Sequence, residues 1–198
     1  AYSKIRGDSF RTFASDHSFS ERVPETAIIR LLCAFVHACG DSELLGVRQG
    51  MNAIAGALLL VMPEVEAYTA FCVLVAKRTP LYWLPNLDGA HAGCLLVDAC
   101  IREVDPQLAT HLTVHSLRAE LYAFPSVLSQ SSSTPPLDQL LQLWDILIAY
   151  GSHLSVVFVV AQILLMKSRI LEAGTSPKTV LDYRYWPSLD ASAILGKS

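Results

Sequence analysis

The sequence predicts an all-α fold, built as a single multi-helix domain. From Pro24 onward, apolar residues recur at three- and four-residue spacing, which is the period of helices that bury one face. No stretch alternates apolar and polar residues cleanly enough to indicate a half-buried strand, and no internal repeat is present. With 198 residues, of which 52% are hydrophobic, the chain can build a large core in one domain.

The N-terminal half of the chain contains three predicted helices. The first covers residues 24–38, where Glu25 complements the helix dipole and Gly40 offers a stop. Its apolar stripe consists of Ile28, Leu31, Leu32, Phe35 and Val36. A second helix is predicted over residues 48–61 and a third over residues 64–78, separated by a proline that ends the second.

The C-terminal half contains three more predicted helices. One begins near Asp88 and closes before Asp105. Its apolar residues are Leu95, Leu96, Ala99 and Cys100. The loop at residues 131–136 precedes the next helix, for which Thr134 is the predicted cap and a proline suits the first turn. The stripe of that helix is Leu137, Leu140, Leu141, Trp144, Leu147 and Ile148. Residues 154–173 form the most hydrophobic segment, which we expect to be central.

Composition argues against two classes of protein. The longest apolar run, residues 53–62, and the interrupted stretch at residues 154–166 fall short of the ~18 apolar residues that a membrane-spanning helix needs. A net charge of −3 without a Lys/Arg cluster gives no reason to expect a nucleic-acid partner. Five cysteines within apolar helical stretches fit a reduced, cytosolic compartment better than a disulfide scaffold.

Two segments contain polar residues that could carry chemistry. In the first, the spacing of Ile5, Asp8 and Arg11 places all three on one face of a helix, so that Asp8 can pair with Arg11. On spacing alone, the favoured interpretation is a surface ion pair near a chain end, which has little energetic value. In the second, Gln49 lies at the start of a buried helix beside two glycines, one of them Gly50, where its amide could reach outward and the glycines let another backbone approach. On this segment alone, the favoured interpretation is an ordinary helix start.

A third segment is the sequence Leu143-Trp144-Asp145, which precedes Gly151. Trp144 lies on the apolar stripe of its helix, and we therefore assign it to core packing, whatever the function. Asp145 is the next residue and points about 100° away from the tryptophan. It is expected to lie off the buried stripe.

In this order, the three segments resemble the TBC family of Rab GTPase-activating domains. The family is marked by the motifs I-x-x-D-x-x-R-T and Y-x-Q-G-M and by a later L/R-W-D segment leading to a glycine. This chain matches them at residues 5–12, 47–51 and 143–151. Further matches at residues 124–128 and 134–137 are similar to the branch known for mitotic-exit and septation checkpoints. The resemblance implies one TBC domain over residues 1–198, containing its catalytic-motif part.

The resemblance also implies roles for individual residues. Arg11 would be an arginine finger, which stabilises the charge that develops on the phosphoryl oxygens during GTP hydrolysis and is worth roughly 10³–10⁵ in rate. Gln49 would be a glutamine finger that positions the attacking water in place of the GTPase's own glutamine. The supporting positions in the same motifs are Asp8, which helps to hold Arg11, and Thr12, Arg48 and Gly50.

The implied partner is a Rab-type small GTPase, which would carry the GTP and Mg²⁺, so the chain itself is expected to need no cofactor or metal. The sequence contains neither a G-x-S-x-G nucleophile elbow nor a glycine-rich phosphate loop, so we expect an activator rather than a hydrolase. The resemblance implies a role in vesicle trafficking and a cytoplasmic location. Partners, including a further regulatory protein, would recruit the domain to membranes, the centrosome or the ciliary base.

Two features depart from the family pattern. Val47 stands where the family usually has tyrosine, so any contact of that hydroxyl is lost. The chain begins four residues before Ile5, so the N-terminal helices typical of the family are expected to be absent from this numbering. These departures leave an alternative open, in which the chain is a TBC-fold scaffold that binds a GTPase or a partner protein without catalysing hydrolysis.

A metal site is the remaining alternative. His111 and His115 are four residues apart, and His91 lies three residues before Cys94. However, the helix between His111 and His115 lacks the glutamate of a zinc protease, and there is no C-x-x-C pair. We therefore interpret these histidines as core or surface residues.

Overall fold

The computed structural model describes residues 2–40, 46–172 and 180–196. Its α-helices, in chain order, are α1 Tyr2–Phe10, α2 His17–Arg22, α3 Glu25–Cys39, α4 Met51–Val61, α5 Glu64–Val73, α6 Asp88–Val104, α7 Pro106–Val114, α8 Ala119–Tyr122, α9 Phe124–Leu128, α10 Leu137–Tyr150, α11 Leu154–Leu165, α12 Lys167–Leu171 and α13 Ala191–Leu195. No strand occurs within these described ranges, so the predicted all-α class is confirmed. The chain divides into two compact units, Ala1–Gly89 and Ala90–Ser198.

The N-terminal unit is organised around α3, α4 and α5. The buried stripe of α3 contains Ala27, Ile28, Leu31, Leu32 and Phe35, close to the predicted one. Phe35 meets Phe71 of α5 edge to face, with ring centroids 5.2 Å apart, a favourable geometry for aromatic pairs. Arg30 adds a bidentate ion pair to Glu64 at the start of α5, at 2.8 and 2.7 Å. Gly40 ends α3 at a φ of +61°.

Helix α4 begins three residues later than the sequence predicts. Gly50, at its N-cap, has a φ of +94°, which is incompatible with a right-handed helix through this residue. Gln49 consequently lies in a turn before α4 rather than on the helix. From Met51 to Leu58, nearly every side chain of α4 is buried, as expected for a central helix.

The third predicted helix is found, but it changes type before its end. Helix α5 continues as a π-helical segment, Leu74–Arg78, and then as a short 3₁₀ helix, Pro80–Trp83. Trp83 is fully buried, and its indole Nε1 donates to Thr79 Oγ1 at 3.0 Å. The Thr79 hydroxyl in turn donates to the carbonyl of Leu74. The irregular turn is therefore fixed by side-chain hydrogen bonds in a dry environment.

In the C-terminal unit, α6 buries a different stripe from the expected one. Cys94, Val97 and Ile101 are buried, whereas Leu95 and Leu96 are 71% and 49% exposed. Both sets recur at helical spacing, so the sequence alone offers α6 two overlapping apolar faces. Packing selects the face that contains Cys94, Val97 and Ile101 and leaves two leucines at the surface.

The start of α10 corrects a further expectation. Pro136 occupies the N-cap with extended backbone angles, and no side chain caps this helix. Thr134 lies two residues before this N-cap, where its amide donates to the carbonyl of Ser131. The predicted cap by Thr134 is therefore wrong. Along α10 the buried residues are Leu137, Leu140, Leu143, Trp144 and Leu147, while Ile148 is 55% exposed.

Helix α11 is the most buried element of the C-terminal unit, as predicted. It buries eight consecutive or near-consecutive positions between Ser155 and Ile163, and it packs against α9, α10, α12 and α13. It ends at Leu165, and α12 follows at once. The predicted helix end at residue 173 lies outside the described residues.

Within the described ranges, no helix is long and apolar enough to cross a membrane. The five cysteines are all free thiols, and only Cys94 is buried. Burial raises the pKa of the Cys94 thiol to about 12, which keeps it protonated and unreactive at neutral pH.

Candidate functional site

The first motif forms the end of α1. Ile5 is 1% exposed and anchors this helix to the unit. After Phe10 the chain closes a tight turn, in which the amides of Arg11 and Thr12 donate to the carbonyls of Asp8 and Ser9 at 3.2 and 3.1 Å. Arg11 thus stands on a hydrogen-bonded turn rather than on a free loop, and its backbone position is fixed.

The guanidinium of Arg11 is exposed and held from one side. Its side chain is 73% exposed, and Nη2 donates to Asp8 Oδ1 at 2.6 Å. This confirms the pairing that the spacing predicts. Such an exposed pair contributes little to stability, so its main effect is to orient the guanidinium. Because one nitrogen makes this bond, the other donors of the fork can still bind a second anion.

A polar cluster behind Arg11 ties its turn to α4. The Thr12 hydroxyl donates to the carbonyl of Asp8 at 2.9 Å. Asn52, in the first turn of α4, donates through Nδ2 to Thr12 Oγ1 at 2.8 Å and to the Asp8 carbonyl at 3.2 Å. Thr12 is buried, and an unpaired hydroxyl there would carry a desolvation penalty. The supporting role predicted for Thr12 therefore has a physical basis.

Sequence reasoning missed Asn52 as a functional residue. It was visible only as the polar residue that follows Met51 at the start of an otherwise apolar helix. An asparagine in that position usually needs a partner for its amide. Its partners lie 40 and 44 residues away in the chain, so no local pattern identifies them.

Gly56, four residues after Asn52, lets the turn that contains Arg11 and Thr12 (the arginine turn) approach α4 closely. A β-carbon on Gly56 would lie 2.9 Å from Thr12 Cγ2, 3.1 Å from Phe13 Cε2 and 3.1 Å from Phe19 Cζ. The first of these distances is shorter than real Cβ contacts allow, and the other two are tight. Asn52 and Gly56 together make one face of α4 the support of the first motif.

The second motif lies in the turn that enters α4. Val47 is buried, and its carbonyl accepts a hydrogen bond from Lys4 Nζ of α1 at 3.3 Å. Arg48 Nε donates to the carbonyl of Trp83 at 3.3 Å, so Arg48 links this turn to the rigid 3₁₀ segment. Gly50 supplies the left-handed backbone that redirects the chain. Gln49, which lies between Arg48 and Gly50, is exposed.

The first two motifs are therefore physically connected within the N-terminal unit. Lys4 of α1 donates to the carbonyl of Val47, two residues before Gln49. Asn52, three residues after Gln49, donates to Thr12, the residue that follows Arg11. The connection leaves one charged fork and one carboxamide facing outward on a supported surface. These groups can donate hydrogen bonds to an anion and orient a water molecule.

The third motif lies in the C-terminal unit and is structural. Trp144 is 3% exposed, which confirms its assignment to the core, and Asp145 is exposed. The indole Nε1 donates to the carbonyl of Gln130 at 3.0 Å. Gln130 and Ser131 have φ angles of +52° and +64°, which are uncommon for residues with side chains. Trp144 thus anchors a strained turn before α10.

The histidines of the metal alternative have other partners. His115 Nδ1 bonds to the carbonyl of His111 at 2.8 Å, and His91 pairs with Glu120. Among the residues that the structure describes, no group of three or more His, Cys, Asp or Glu side chains could hold a metal ion. His91 and His115 are exposed and His111 is half-buried, in agreement with the interpretation of these histidines as core or surface residues.

The family model of the Rab-GTPase-TBC domain matches residues 1–171 of the chain. The chain therefore belongs to this family, and the resemblance carried by its three motifs is confirmed. It is 43% identical, over all of its length, to a protein from Dictyostelium discoideum named for the mitotic check point protein BUB2, and covers 52% of that protein. Over 98% of its length it is 38% identical to the mitotic check point protein BUB2 of Saccharomyces cerevisiae, and covers 66% of that protein.

These relatives match the predicted mitotic checkpoint branch of the family. The chain spans between about half and two thirds of their length. Among solved structures, the Chlamydomonas flagellar RabGAP TBC domain aligns with 99% of the chain and 63% of its own, with a TM-score of 0.76 and 22% sequence identity. This likeness establishes the TBC-type fold.

Proposed function

We propose that this domain accelerates GTP hydrolysis on a Rab-type small GTPase by supplying Arg11 and Gln49 in trans. The observation that supports this most strongly is the combination at Arg11 of a 73% exposed side chain with a buried, hydrogen-bonded base. Membership of the Rab-GTPase-TBC family supports the same assignment. An arginine on the surface for packing reasons would not need Asp8, Thr12 and Asn52 beneath it.

In this mechanism Arg11 acts on the charge that develops in the transition state. As the γ-phosphoryl group is transferred to water, negative charge spreads over its oxygens, and a planar guanidinium can bind it through more than one N–H. Asp8 accepts a hydrogen bond from one nitrogen of the Arg11 guanidinium at 2.6 Å, so the fork is oriented before the partner arrives. Preorganisation of this kind lowers the barrier because no bond has to be rearranged during the reaction.

Gln49 has the second role in the proposal. Its carboxamide carries both a donor and an acceptor, so it can hold the attacking water and contact the phosphoryl group at once. The buried Val47 and the left-handed Gly50 on either side place its backbone between two fixed points. The GTP and Mg²⁺ would be carried by the partner, and this chain would contribute only side chains.

Exposed apolar residues near Arg11 support docking of a protein on this face. Phe10, the residue before Arg11, is 73% exposed, and Tyr2 on the same helix is 60% exposed. An exposed aromatic side chain beside a cationic group, as Phe10 is beside Arg11, is typical of protein interfaces, and Tyr2 at the other end of α1 adds exposed aromatic surface on the same helix. We propose that they contact the GTPase around the nucleotide, in the cytoplasm or where partners recruit the domain.

The test is a single-turnover GTP hydrolysis assay over a panel of purified Rab-type GTPases. We expect the domain to stimulate at least one of them, and Gln49→Ala to lower that stimulation by about 10²-fold, as for the loss of one oriented group in an active site. Gln142→Ala is the matched control, because Gln142 is also an exposed glutamine but belongs to the C-terminal unit. It should stimulate like the unmodified domain.

A second arm of the assay uses a GTPase whose own catalytic glutamine has been replaced. If Gln49 positions the water, the unmodified domain still stimulates this GTPase, and Gln49→Ala does not. Loss of all stimulation with the altered GTPase would show that the partner positions the water. Binding to GTPases without any stimulation across the panel would favour the scaffold alternative.

A further inference from the structure

The C-terminal unit contains an open cleft of about 550 Å³ that has no role in the proposed GTPase mechanism. It is bounded by the second half of α6, by α7 and by the turn at residues 116–118. Its floor is formed by Ile101, Leu112 and Leu117, which are all at least nine-tenths buried. The floor is therefore part of the core of this unit and cannot move independently of it.

Hydrogen bonds fix the wall opposite α6. The amide of Leu117 donates to the carbonyl of Leu112 at 2.9 Å, which closes the end of α7. The amide of Ala119 then donates to Asp98 Oδ1 of α6 at 3.0 Å. Because Asp98 ties the start of α8 to α6, the turn at residues 116–118 holds its position. The cleft is therefore preformed in the unliganded domain.

Two arginines line the cleft, Arg102 from α6 and Arg118 from the turn. Both are exposed, and within the described part of the chain neither guanidinium makes an ion pair within 4.0 Å. Among the residues that the structure describes, Asp98 is the only carboxylate that lines the cleft, and one of its oxygens already accepts a hydrogen bond from the amide of Ala119. The cleft therefore has an excess of positive charge in a chain whose net charge is −3.

An exposed leucine stands at the edge of the same cleft. Leu95 lines it and is 71% exposed, because α6 buries its other apolar face. Single exposed leucines are common on protein surfaces and need no partner. Here, however, the leucine accompanies two cations that lack ion-pair partners. A ligand that complements all three must combine carboxylates with an apolar side chain.

We propose that this cleft binds an acidic amphipathic segment of a partner protein, with carboxylates on Arg102 and Arg118 and an apolar side chain on Leu95. Charge complementarity selects this occupant, since a basic segment would be repelled and a purely apolar one would leave both arginines unused. Recognition of this type resembles the docking of an amphipathic helix in a groove, where apolar anchors give affinity and charges give register. The cleft is lined by residues of the C-terminal unit, and Arg11 and Gln49 are not among them, so the proposal does not depend on GTPase activation.

The probe for the test is a fluorescein-labelled peptide of repeated Glu-Leu-Leu-Glu units, with fluorescence anisotropy as the readout. We expect the domain to bind it with an affinity that falls as salt increases. Arg102→Gln with Arg118→Gln should weaken binding by about 10-fold, the combined effect of two exposed ion pairs. Leu95→Ser should weaken it by a few-fold. Thermal melts should stay unchanged, because all three side chains are exposed.

Matched controls use exposed residues of the N-terminal unit. Arg78→Gln removes an exposed arginine and Val65→Ser an exposed apolar side chain that is 78% exposed, and neither should change binding. A charge exchange gives the sharpest support: Arg102→Glu with Arg118→Glu should lose the acidic peptide and gain affinity for the version with lysine in place of glutamate. That gain cannot come from partial unfolding.

Several results would overturn the proposal. The acidic peptide could fail to bind at millimolar concentration, or bind the control and cleft variants equally. A phosphoserine peptide without leucine that binds as tightly as the acidic peptide would make the cleft a simple anion site. Sedimentation that shows a dimer for the unmodified domain and a monomer for the double glutamine variant would assign the cleft to a second copy of the chain.

Discussion

Two motif residues, one from each unit of the chain, have opposite environments. Arg11 in the N-terminal unit has a side chain that is 73% exposed, and the Thr12 hydroxyl and the Asn52 amide beneath it are hydrogen-bonded. Trp144 in the C-terminal unit is 3% exposed and donates its one N–H to the backbone of Gln130. The family motif therefore marks an exposed, supported side chain in one case and a packing position in the other.

The contrast shows how a motif residue should be interpreted. At Arg11, the hydrogen bonds of Asn52 hold the backbone of the turn in place, while the side chain itself stays available. At Trp144, the side chain contributes its buried area to the core. A substitution at Arg11 should therefore change chemistry without changing stability, and a substitution at Trp144 should do the reverse.

The largest effect is expected for Arg11→Ala. It should lower GTPase stimulation by roughly 10³-fold or more, the range for arginine fingers, while the melting temperature stays unchanged. Arg11→Lys should also fail, because an ammonium group does not reproduce the fork. Single-turnover hydrolysis and thermal melts measure the two quantities. Arg6→Ala, at another exposed arginine of α1, is the control and should remain active. An Arg11→Ala domain with full stimulation would remove the central proposal.

The next effect concerns stability. Trp144→Ala should cost about 3–5 kcal/mol of the free energy of unfolding, as for other buried tryptophans, a large share of the ~5–15 kcal/mol that stabilises a domain. Asp145→Asn should change it by less than about 0.5 kcal/mol, because Asp145 is exposed. Denaturant titration compares the two variants. A Trp144→Ala domain that melts like the unmodified one but no longer binds GTPase would reverse the comparison.

The smallest effect is a pH dependence within the C-terminal unit. Lys167 Nζ lies 2.6 Å from Asp105 Oδ2, and this contact, with the amide of Leu108, lowers the pKa of Asp105. A carboxyl whose pKa is lowered by folding adds stability above its unfolded pKa of about 3.9 and loses it as pH falls through the folded value. Lys167→Met should therefore be less stable at pH 7 by under about 1 kcal/mol.

The difference between Lys167→Met and the unmodified domain should shrink as the pH falls from about 4 through the lowered folded pKa of Asp105, because the carboxyl then becomes protonated in both proteins. Denaturant titrations at a series of pH values measure it. Lys77→Met is the control, since Lys77 is an exposed lysine of the N-terminal unit. A stability difference that is the same at every pH would show that Lys167 acts through its packing and not through its charge.

Much of the fold follows from periodicity, because each predicted helix corresponds to an observed one. The sequence also predicts the Asp8–Arg11 pair, since its spacing is local. It does not reveal which face a helix buries when two are apolar, as at Leu95 and Leu96 of α6. That choice depends on neighbouring elements. Neither does it reveal Asn52, whose partners are distant in the chain.

The contact between Gly56 and the arginine turn has a consequence for genetics. Gly56→Ala would place its new methyl 2.9 Å from Thr12 Cγ2, so a loss-of-function allele can arise at a buried residue that touches neither Arg11 nor a GTPase. Thr12→Ser removes Cγ2, the methyl group of Thr12 that takes part in this contact, and keeps the hydroxyl that donates to the Asp8 carbonyl. In a selection for restored GTPase stimulation, Thr12→Ser should therefore appear as an allele-specific suppressor of Gly56→Ala. It should not rescue Arg11→Ala, because a repaired turn cannot replace a missing guanidinium.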